Sequence, residues 1–589
     1  MSQTSKKNID FTLFKRILSY TTPYRSKFYT AIFLTISLAI ISIVRPKITG
    51  VIVGEYVINK DKDSLFVGSI IVLLILFLEA IGAYFRTYIS QELGQNVIRD
   101  IRNQVFNHIT KLKLHFFDNN PIGMLVTRVI SDIETIAEIF SQGFITIIGD
   151  ILTIIFVLGT MAYINWELTL IVIIPIPILL WATNIFKNSI KEAFHEVRNE
   201  VSKLNTYVQE HISGIRIVKI FNREKTEAKN FKNINRKHRN AHIRSVWAYS
   251  VFFPIVENLS ALSIALLVFY SLFKIDAPDA DLQTIVTDLT TFILFVHMLY
   301  RPIRMLADKF NTLQMGIVGS ERVFKLLDEQ SFIANEGVLK NIDFKGAIRF
   351  ENIWFAYNEP SYVLKDVSFT VNKGETIAIV GATGAGKSSI INLLNRFYNY
   401  QKGNIFINDI DLKSIEINAI REQIAVVLQD VFLYAETVHN NITLGNKNIT
   451  REEVIKASKL VGAHSFIMQL PNNYDYNVKE GGSTLSVGQR QLISFLRAFV
   501  YNPNILILDE ATSSVDSESE ELIQKAIDKL TEGRTSIIIA HRLSTIKKAD
   551  RIVVLDKGKV METGSHKELI KENGFYAKLH KSQLNITDD

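Results

Sequence analysis

Six long apolar runs occupy the first half of the chain, and they limit its fold more than any other feature. The runs are centred in Phe28–Val44, Leu65–Phe85, Phe144–Ile164, Leu168–Phe186, Val251–Phe273 and Ile285–Leu299. A helix needs roughly 20 predominantly apolar residues to cross the hydrocarbon core of a bilayer. Because a backbone in lipid must satisfy its own hydrogen bonds, each run is predicted to be a membrane-spanning helix.

Lys and Arg are unevenly distributed around these runs. They crowd the sequence before the first run and the two long loops that follow the second and fourth runs. The other loops are short, as at Asn165–Glu167, or acidic, as at Ile275–Asp281. By the positive-inside rule, both termini and both long loops are predicted to be cytoplasmic, in a multi-pass protein of the cell's inner (plasma) membrane.

Composition excludes several other classes of protein. The net charge of +7 follows from the basic loops, and no basic patch is interleaved with aromatic residues, so nucleic acid is not an expected partner. The chain has no cysteine, which excludes disulfides, thiolate metal sites and cysteine nucleophiles. No cleavable signal peptide is expected, because the first long apolar run begins only at Phe28.

The two long loops show helical periodicity, which predicts that they continue the membrane helices beyond the bilayer. Apolar residues recur at helical spacing in the first loop, as in Ile98, Ile101, Val105 and Ile109. Each loop is interrupted near its far end, at Phe116–Leu125 and at His211–Phe221. The interruptions are either the turns of solvated helical hairpins or docking elbows for a soluble domain. We favour docking, because a projecting helix needs a partner to cover its apolar stripe.

Three acidic residues fall within the predicted spans: Glu79, Asp150 and Glu257. Ionisable groups at membrane depth are costly and usually face a water-filled cavity or a charged partner. Each acid therefore either lines a substrate path or sits near a membrane interface, and the sequence leaves both readings open.

The second half begins near Lys345 and alternates short apolar strands with helical stretches, which predicts a parallel sheet covered by helices. The strand Thr376–Val380 runs directly into GATGAGKSS, Gly381 to Ser389. Glycines in such a loop let backbone N–H groups wrap around phosphates, while Lys387 reaches the terminal phosphates and the Ser388 hydroxyl ligates Mg²⁺. The predicted phosphate-binding residues are Gly381, Ala382, Thr383, Gly384, Ala385, Gly386, Lys387, Ser388 and Ser389.

Two further strands place ionisable residues at the same sheet edge. The strand ILILD ends in Asp509 and is followed by Glu510, and the strand TSIIIA is followed by His541. Open α/β sheets place their ligands at the carboxyl ends of strands. Asp509 is predicted to help hold Mg²⁺ and Glu510 to polarise the attacking water, since phosphoryl transfer depends on positioning the nucleophile. The alternatives are a helix-capping acid pair and a structural histidine.

The order of motifs resembles the nucleotide-binding domain of an ATP-binding cassette (ABC) transporter. The motifs are GATGAGKSS, AVVLQD with Gln429, LSVGQRQ, ILILDE, SSVD with Asp516 and IIIAHR with His541. Together with six preceding spans, nearly the whole chain, from Asp10 to about Leu579, resembles a half-transporter of the ABC exporter type, of multidrug or lipid class. Phe116–Asp132 also resembles the first docking loop of that family.

The resemblance implies an all-α six-helix transmembrane domain followed by an α/β P-loop nucleotide-binding domain. The expected divisions are an elbow helix (1–27), a transmembrane domain (28–320), a linker (321–344), a nucleotide-binding domain (345–580) and a tail (581–589). Each chain would bind ATP and Mg²⁺ and would need a second half-transporter chain as its partner.

The resemblance also implies roles for individual residues. Tyr357 would stack on adenine, and Gln429 would sense Mg²⁺ and the attacking water. His541 would contact the γ-phosphate, and Asp516 would couple the two sites of a dimer. The segment around Glu480 would contact the docking loops. The expected Mg²⁺ ligands are Ser388, Gln429 and Asp509.

The signature LSVGQRQ carries a valine where the family usually has glycine. In the family this segment comes from the opposite subunit and closes over the γ-phosphate through a Ser hydroxyl, backbone N–H groups and a helix start. Ser486, Gly488 and Gln489 are retained. We predict a working signature, provided that Val487 keeps a negative φ, where β-branched residues are tolerated.

The expected function is that of an ATP-hydrolysing exporter half-transporter that moves an amphiphilic or lipid-like substrate by alternating access. A homodimer is favoured because no phosphate-loop, magnesium-site or hydrolytic residue is degenerate, and a heterodimeric multidrug exporter remains open. An ATP-gated channel or regulatory subunit is the alternative from another class. The three acids motivate a weak hypothesis of cationic amphiphile efflux, beside lipid flipping and peptide export.

Overall fold

The computed structural model describes residues 11–275, 281–333, 337–510, 517–540 and 542–584. Contacts divide the chain into two compact units. The helical unit contains Met1–Thr110 and Ile122–Glu329, and the sheet unit contains Lys111–Pro121 and Gln330–Asp589. The predicted fold class is confirmed, whereas the predicted domain limits stay predictions.

The helical unit is built from long helices connected by short turns. Its helices are α1 (Phe11–Ser19), α2 (Arg25–Val51), α3 (Lys62–Ile109), α5 (Ile122–Thr127), α6 (Ile133–Glu138), α7 (Ile145–Ile164), α8 (Trp166–Ile173), α9 (Ile176–Ser213), α10 (Ile215–Ile220), α11 (Glu224–Ile275) and α12 (Leu282–Leu327). The helix α4 (Leu114–Asn119) belongs to the sheet unit. Turns of π-helix cover Ile52–Val57, Arg128–Asp132 and Ile139–Phe144.

Six segments among the described residues are long and apolar enough to cross a membrane, which confirms the predicted number of spans. They are Thr22–Val57, Lys62–Ile109, Ile145–Ile164, Trp166–Ser213, Glu224–Ile275 and Leu282–Met305. The predicted helical continuations are also confirmed. With 48 residues, α3 is about 72 Å long at 1.5 Å per residue, more than twice the thickness of a hydrocarbon core.

Glycines let α12 approach two other segments very closely. Gly50 and Gly54 form a small-xxx-small pattern against α12, where a Cβ at Gly54 would lie 2.6 Å from the backbone nitrogen of Thr287. Further along α12, a Cβ at Gly316 would lie 2.8 Å from the carbonyl oxygen of Thr135 in α6. At both places the glycine meets backbone atoms, which cannot move aside as a flexible side chain can.

An ion pair joins the first and last helices of this unit. Arg16 of α1 donates from both terminal guanidinium nitrogens to the carboxylate of Asp328, at 2.7 and 2.8 Å. The guanidinium also lies 4.3 Å from the ring centroid of Phe324. This bidentate bond holds the pKa of Asp328 below its ordinary value.

The sheet unit contains two sheets. The first has the order β2 (Leu364–Val371), β1 (Ile348–Phe355), β4 (Lys402–Ile407), β5 (Ile410–Asp411), with antiparallel neighbours. The second has the order β10 (Lys559–Gly564), β9 (Arg551–Asp556), β3 (Thr376–Gly381), β8 (Thr535–Ala540), β7 (Ile505–Glu510), β6 (Ile424–Val427). In the second sheet only the pairing of β10 with β9 is antiparallel.

Helices cover the second sheet. They are α13 (Lys387–Leu394), α14 (Ile417–Gln423), α15 (Val438–Thr443), α16 (Arg451–Val461), α17 (His464–Gln469), α18 (Val487–Val500), α19 (Ser517–Thr531), α20 (Leu543–Lys548), α21 (His566–Lys571) and α22 (Phe575–Leu584). Alternate residues of β3 face two different cores, with Ala378 and Val380 in one and Ile377 and Ile379 in the other. This two-sided burial explains why β3 is a continuous apolar run.

We predict that Gly54→Ala destabilises the helical unit, because the added methyl group would force Ile52–Val57 away from α12. Overpacking of this kind typically costs about 1–3 kcal/mol. The measurement is the apparent Tm of the purified chain in detergent or nanodiscs. Gly159→Ala in α7 is the matched control, because a Cβ there meets nothing within 4 Å. Equal Tm values for both variants would contradict the close approach.

Candidate functional site

The loop between β3 and α13 has the geometry of an anion cradle. Gly384 and Gly386 adopt left-handed φ values of 81° and 104°, which side chains rarely allow. A Cβ at Gly386 would also lie 2.6 Å from a side-chain carbon of Leu364. Because α13 begins at Lys387, the loop delivers unpaired backbone N–H groups and the positive end of a helix dipole to the same place.

Lys387 is buried at this helix start, with only 7% of its surface exposed. Its ammonium group donates to the carbonyl oxygens of Gly381 at 2.7 Å and Ala382 at 3.0 Å. Burial lowers the pKa of Lys387, and the charge of Asp509 opposes that shift. A buried cation with neutral carbonyl partners favours binding of an anion such as phosphate.

Nine of the predicted nucleotide-site residues meet around one cavity of about 530 Å³. Its lining comprises Tyr357, Val363, Thr383, Gly384, Gly386, Lys387, Ser388, Ser389, Gln429, Asp509 and Ile539. Val363 and Ile539 are apolar wall residues that the motif analysis did not identify. Ala385, which the motif also includes, is buried behind the loop.

Strand order explains why distant motifs converge there. The strands β3, β8, β7 and β6 are successive neighbours, so the loop after β3 lies at the same sheet edge as Asp509 at the end of β7 and Gln429 just after β6. Oxygen atoms from Ser388, Gln429 and Asp509 are ligands that Mg²⁺ prefers. Glu510 ends β7. Its side chain lies outside what the structure describes, as do Asp516 and His541.

Tyr357 is held at the edge of the cavity. Its hydroxyl group hydrogen-bonds Ser389 Oγ at 3.1 Å and accepts from Asn392 Nδ2 at 3.0 Å, so both contacts come from α13. Its ring packs edge-on against Phe355 and Tyr398, with centroids 4.7 and 5.0 Å apart. These contacts fix an aromatic ring beside the phosphate cradle, as an adenine platform requires.

The signature segment starts a helix. Ser486 is the N-cap of α18, where its hydroxyl accepts from the Gln489 N–H at 3.2 Å and its own N–H donates to Gln489 Oε1 at 3.0 Å. Val487 is the first helical residue and is 40% exposed. The condition of a helical backbone with negative φ is therefore met. Of the residues described, Ser486, Gly488 and Gln489 do not line the cavity around Lys387.

The first interruption of the long loops is anchored within the sheet unit. The Lys113 N–H donates to the carbonyl oxygen of Ser331 at 2.8 Å, next to a bridge between Leu112 and Phe332. The Tyr398 hydroxyl group donates to the carboxylate of Asp118 in α4. Burial and this carboxylate raise the pKa of Tyr398. Motif reading missed Tyr398, because its partner lies 280 residues away in sequence.

The helical unit contains a separate cavity of about 980 Å³, and two of the three predicted path acids line it. Glu79 lies 3.4 Å from Arg45 Nε, and Asp150 is paired with Lys309. Glu257 is outside the lining and pairs with Arg304 at 3.3 Å. Each acid thus has a basic partner on another helix.

Comparisons with known proteins agree with both units. A family model described as the ABC transporter transmembrane region matches residues 28–302, and one described as ABC transporter matches residues 364–513. The chain is 37% identical to the uncharacterized ABC transporter ATP-binding protein YknV of Bacillus subtilis, over 96% of this chain and 94% of the relative. It is 34% identical to the ATP-dependent lipid A-core flippase of Syntrophus aciditrophicus, over 97% and 94%. The flippase of Desulfotalea psychrophila is 35% identical, over 97% and 99%.

We predict that Tyr398→Phe loosens residues 111–121 from the sheet unit, because it removes a hydrogen bond to a charged acceptor. Such bonds are typically worth about 1.5–3 kcal/mol, so local amide exchange should accelerate at least about tenfold. Hydrogen exchange with peptide-level mass spectrometry measures this.

The matched control for that prediction is Tyr400→Phe. The Tyr400 hydroxyl group also donates to an aspartate, Asp411 at 3.5 Å, but that partner lies in β5. Exchange of residues 111–121 should be unchanged in this variant. Equal acceleration in both variants would contradict a specific role for the contact with Asp118.

Proposed function

The chain belongs to the ABC transporter family, as an exporter half-transporter with its transmembrane region and its ABC domain on one polypeptide, and from this premise we propose which residues do the work. It is a multi-pass membrane protein that binds ATP and couples ATP hydrolysis to transport.

The cavity of about 530 Å³ is the proposed ATP site, and its convergence of loop, lysine and strand-end residues is the observation that carries the proposal. Backbone N–H groups of the loop and the Lys387 ammonium hold the phosphates, and Tyr357 stacks on the adenine ring. Ser388, Gln429 and Asp509 supply the oxygen donors that would hold Mg²⁺. When bound, Mg²⁺ neutralises charge on the β- and γ-phosphate oxygens.

Glu510 is proposed to orient the attacking water, because it follows Asp509 at the sheet edge where the phosphate cradle lies. His541 is proposed to contact the γ-phosphate, and Asp516 is proposed to couple the two ATP sites of a dimer. In phosphoryl transfer the protein contributes mainly positioning and charge stabilisation. A carboxylate that accepts a hydrogen bond from water holds that water in line with the phosphorus atom.

A second chain is proposed to complete each site. At the start of α18, Ser486 and Val487 are exposed to an incoming phosphate, whereas Gly488 is buried. None of the three lines the cavity within the described part of their own chain. Two chains arranged head to tail would bring each signature to the partner's loop. A homodimer is favoured, because the described residues of the loop and the magnesium site are intact.

The two interruptions of the long loops are proposed to transmit movement from the nucleotide-binding domains to the transmembrane helices. The helix α4 lies in the sheet unit of its own chain. The segment around α10 exposes several large apolar side chains, among them Ile217, Ile220 and Phe221, at 64%, 77% and 69% exposure. Such a patch at the tip of a long helical hairpin suits docking on the second chain's nucleotide domain. The termini and these tips would lie in the cytoplasm, and the six spans would cross the inner membrane.

The proposed cargo is an amphiphilic or lipid-like molecule that is exported by alternating access. Two of the relatives are named ATP-dependent lipid A-core flippases, and a cavity of about 980 Å³ lies among the membrane helices of this chain. A cavity of that volume is at the upper end of those that enclose drug-sized ligands.

We predict that Glu510→Gln abolishes most hydrolysis while ATP binding persists, because the amide keeps the shape of the side chain but loses the negative charge that orients water. Turnover in liposomes should fall at least about a hundredfold, equivalent to about 2.7 kcal/mol. Nucleotide affinity, measured by calorimetry, should stay within about threefold. Glu532→Gln, which removes an exposed acid from a surface ion pair with Lys529, is the control. Normal turnover in Glu510→Gln would remove Glu510 from the mechanism.

We also predict that Val487→Gly changes ATPase activity by less than about fivefold, because the contacts at this helix start come from the backbone and from Ser486. Glycine costs a helix at most about 1 kcal/mol. Ser486→Ala, which removes the capping hydroxyl group, should lower activity more than about tenfold. A change beyond about a hundredfold in Val487→Gly would show that the valine side chain itself is required.

A further inference from the structure

The large cavity of the helical unit has an uneven balance of charge. Five basic side chains line it against two acidic ones: Arg45, Arg86, Arg301, Arg304 and Lys309 against Glu79 and Asp150. The rest of the wall includes apolar residues, such as Leu38, Phe253 and Met298. The cavity therefore combines an apolar surface with an excess of positive charge.

Both acids in the wall are already neutralised by neighbours. Glu79 pairs with Arg45 at 3.4 Å and Asp150 with Lys309, while Arg304 pairs with Glu257 at 3.3 Å. These pairs use three of the basic groups. The acids thus do not supply a free negative charge for a cationic cargo.

Arg86 and Arg301 are the two basic residues of the lining that take no part in these ion pairs. Among the side chains that the structure describes, no carboxylate lies within ion-pair distance of either guanidinium, while both line the cavity. Ionisable groups on membrane helices usually face a water-filled cavity or a partner, and both arginines face this cavity. A guanidinium group matches the oxygens of phosphate and carboxylate with two parallel hydrogen bonds.

The two arginines also occupy corresponding places along their helices. Arg86 directly follows the apolar run Leu65–Phe85 of α3, and Arg301 follows the run Ile285–Leu299 of α12. Both lie toward the ends that lead into the predicted cytoplasmic segments. This is the level at which an amphiphile in the inner leaflet presents its headgroup, with its chain directed toward the apolar wall.

The adjacent ion pair has unused hydrogen-bonding capacity. Arg45 Nε and Glu79 Oε1 are buried and have no hydrogen-bond partner among the described residues. A buried donor or acceptor without a partner lowers stability. An oxygen atom of a ligand could accept from Arg45 Nε, whereas Glu79 Oε1 is an acceptor and would need a donor such as water.

We propose that the cavity selects amphiphiles whose headgroup is an oxyanion, phosphate or carboxylate, and that Arg86 and Arg301 are its headgroup ligands. This inference rests on the proposed export function and reverses the cationic cargo suggested by the acids alone. The apolar part of the cavity wall accepts the hydrocarbon chain, and the two guanidinium groups select anionic over cationic headgroups.

The test uses the full chain in nanodiscs of neutral phosphatidylcholine, without nucleotide, and measures the binding of radiolabelled dodecyl phosphate below its micelle concentration. Dodecanoate should compete, whereas dodecyltrimethylammonium and dodecyl maltoside, which carry the same chain, should not. Arg86→Gln and Arg301→Gln should each raise the Kd about tenfold, and Arg86→Lys should stay within about threefold of the natural chain.

Lys237→Gln is the control, because it removes an exposed basic residue of α11 that lies outside the cavity lining. Its Kd should be unchanged. If Arg86→Gln lowers the apparent Tm, Arg301→Gln and Arg86→Lys still decide the result. Equal competition by dodecyltrimethylammonium, or an unchanged Kd in Arg301→Gln, would overturn the proposal.

A parallel ATPase assay separates this inference from the proposed function. Charge-selective binding without any ATP turnover would overturn the export function but not the oxyanion site. Turnover stimulated equally by anionic and cationic amphiphiles would overturn the oxyanion site but not the export function. Competition by dodecyl phosphate alone, without dodecanoate, would narrow the headgroup to phosphate and still support the site.

Discussion

The structure depends on one constraint, which is that a polypeptide in lipid must hydrogen-bond to itself. The first half of the chain meets it with unbroken helices, and because nothing forces these helices to stop at the membrane surface, α3 continues to a length of 48 residues. A continuous helix transmits displacement along its axis. The same requirement that lets the chain enter a bilayer thus supplies rigid arms, and the turn after α3 places α4 in the sheet unit.

The features that sequence predicted correctly are those encoded locally. Span number follows from the length of each apolar run, and the strand, glycine loop and helix around Lys387 follow from a pattern of nine residues. Phosphate binding by that loop stays a prediction. The helix start at Ser486, which the family resemblance implied, also has a local signal that the sequence analysis did not use: a capping serine and Gln489 stand three positions apart. The contacts that sequence did not predict join distant residues. Tyr398 reaches Asp118, and the partners of the membrane acids lie on other helices, so neither has a periodic or local signal.

Both proposed binding cavities would have to supply positive charge to an anionic ligand, one in a water-exposed domain and the other among membrane helices. In the proposed ATP site of the sheet unit, one lysine and the backbone N–H groups of the glycine loop would hold the phosphates. In the helical unit, the backbone is occupied by its own hydrogen bonds, so side chains must provide the charge. Ion pairs such as that of Arg45 with Glu79 then reduce the positive charge that remains for binding a ligand.

The glycine contacts on α12 have a mechanical consequence. Where bulky side chains interdigitate, one helix can shift along another only in steps, because each knob must leave its hole. The side chains of neighbouring residues fill the space beside both glycines: a Cβ at Gly54 would lie 2.0 Å from Thr287 Oγ1, and a Cβ at Gly316 would lie 2.3 Å from a side-chain carbon of Ile139. Each of these side chains therefore fixes the axial position of α12 against the segment that it contacts. A displacement of α12 along its axis would carry Ile52–Val57 and Ile139–Phe144 with it.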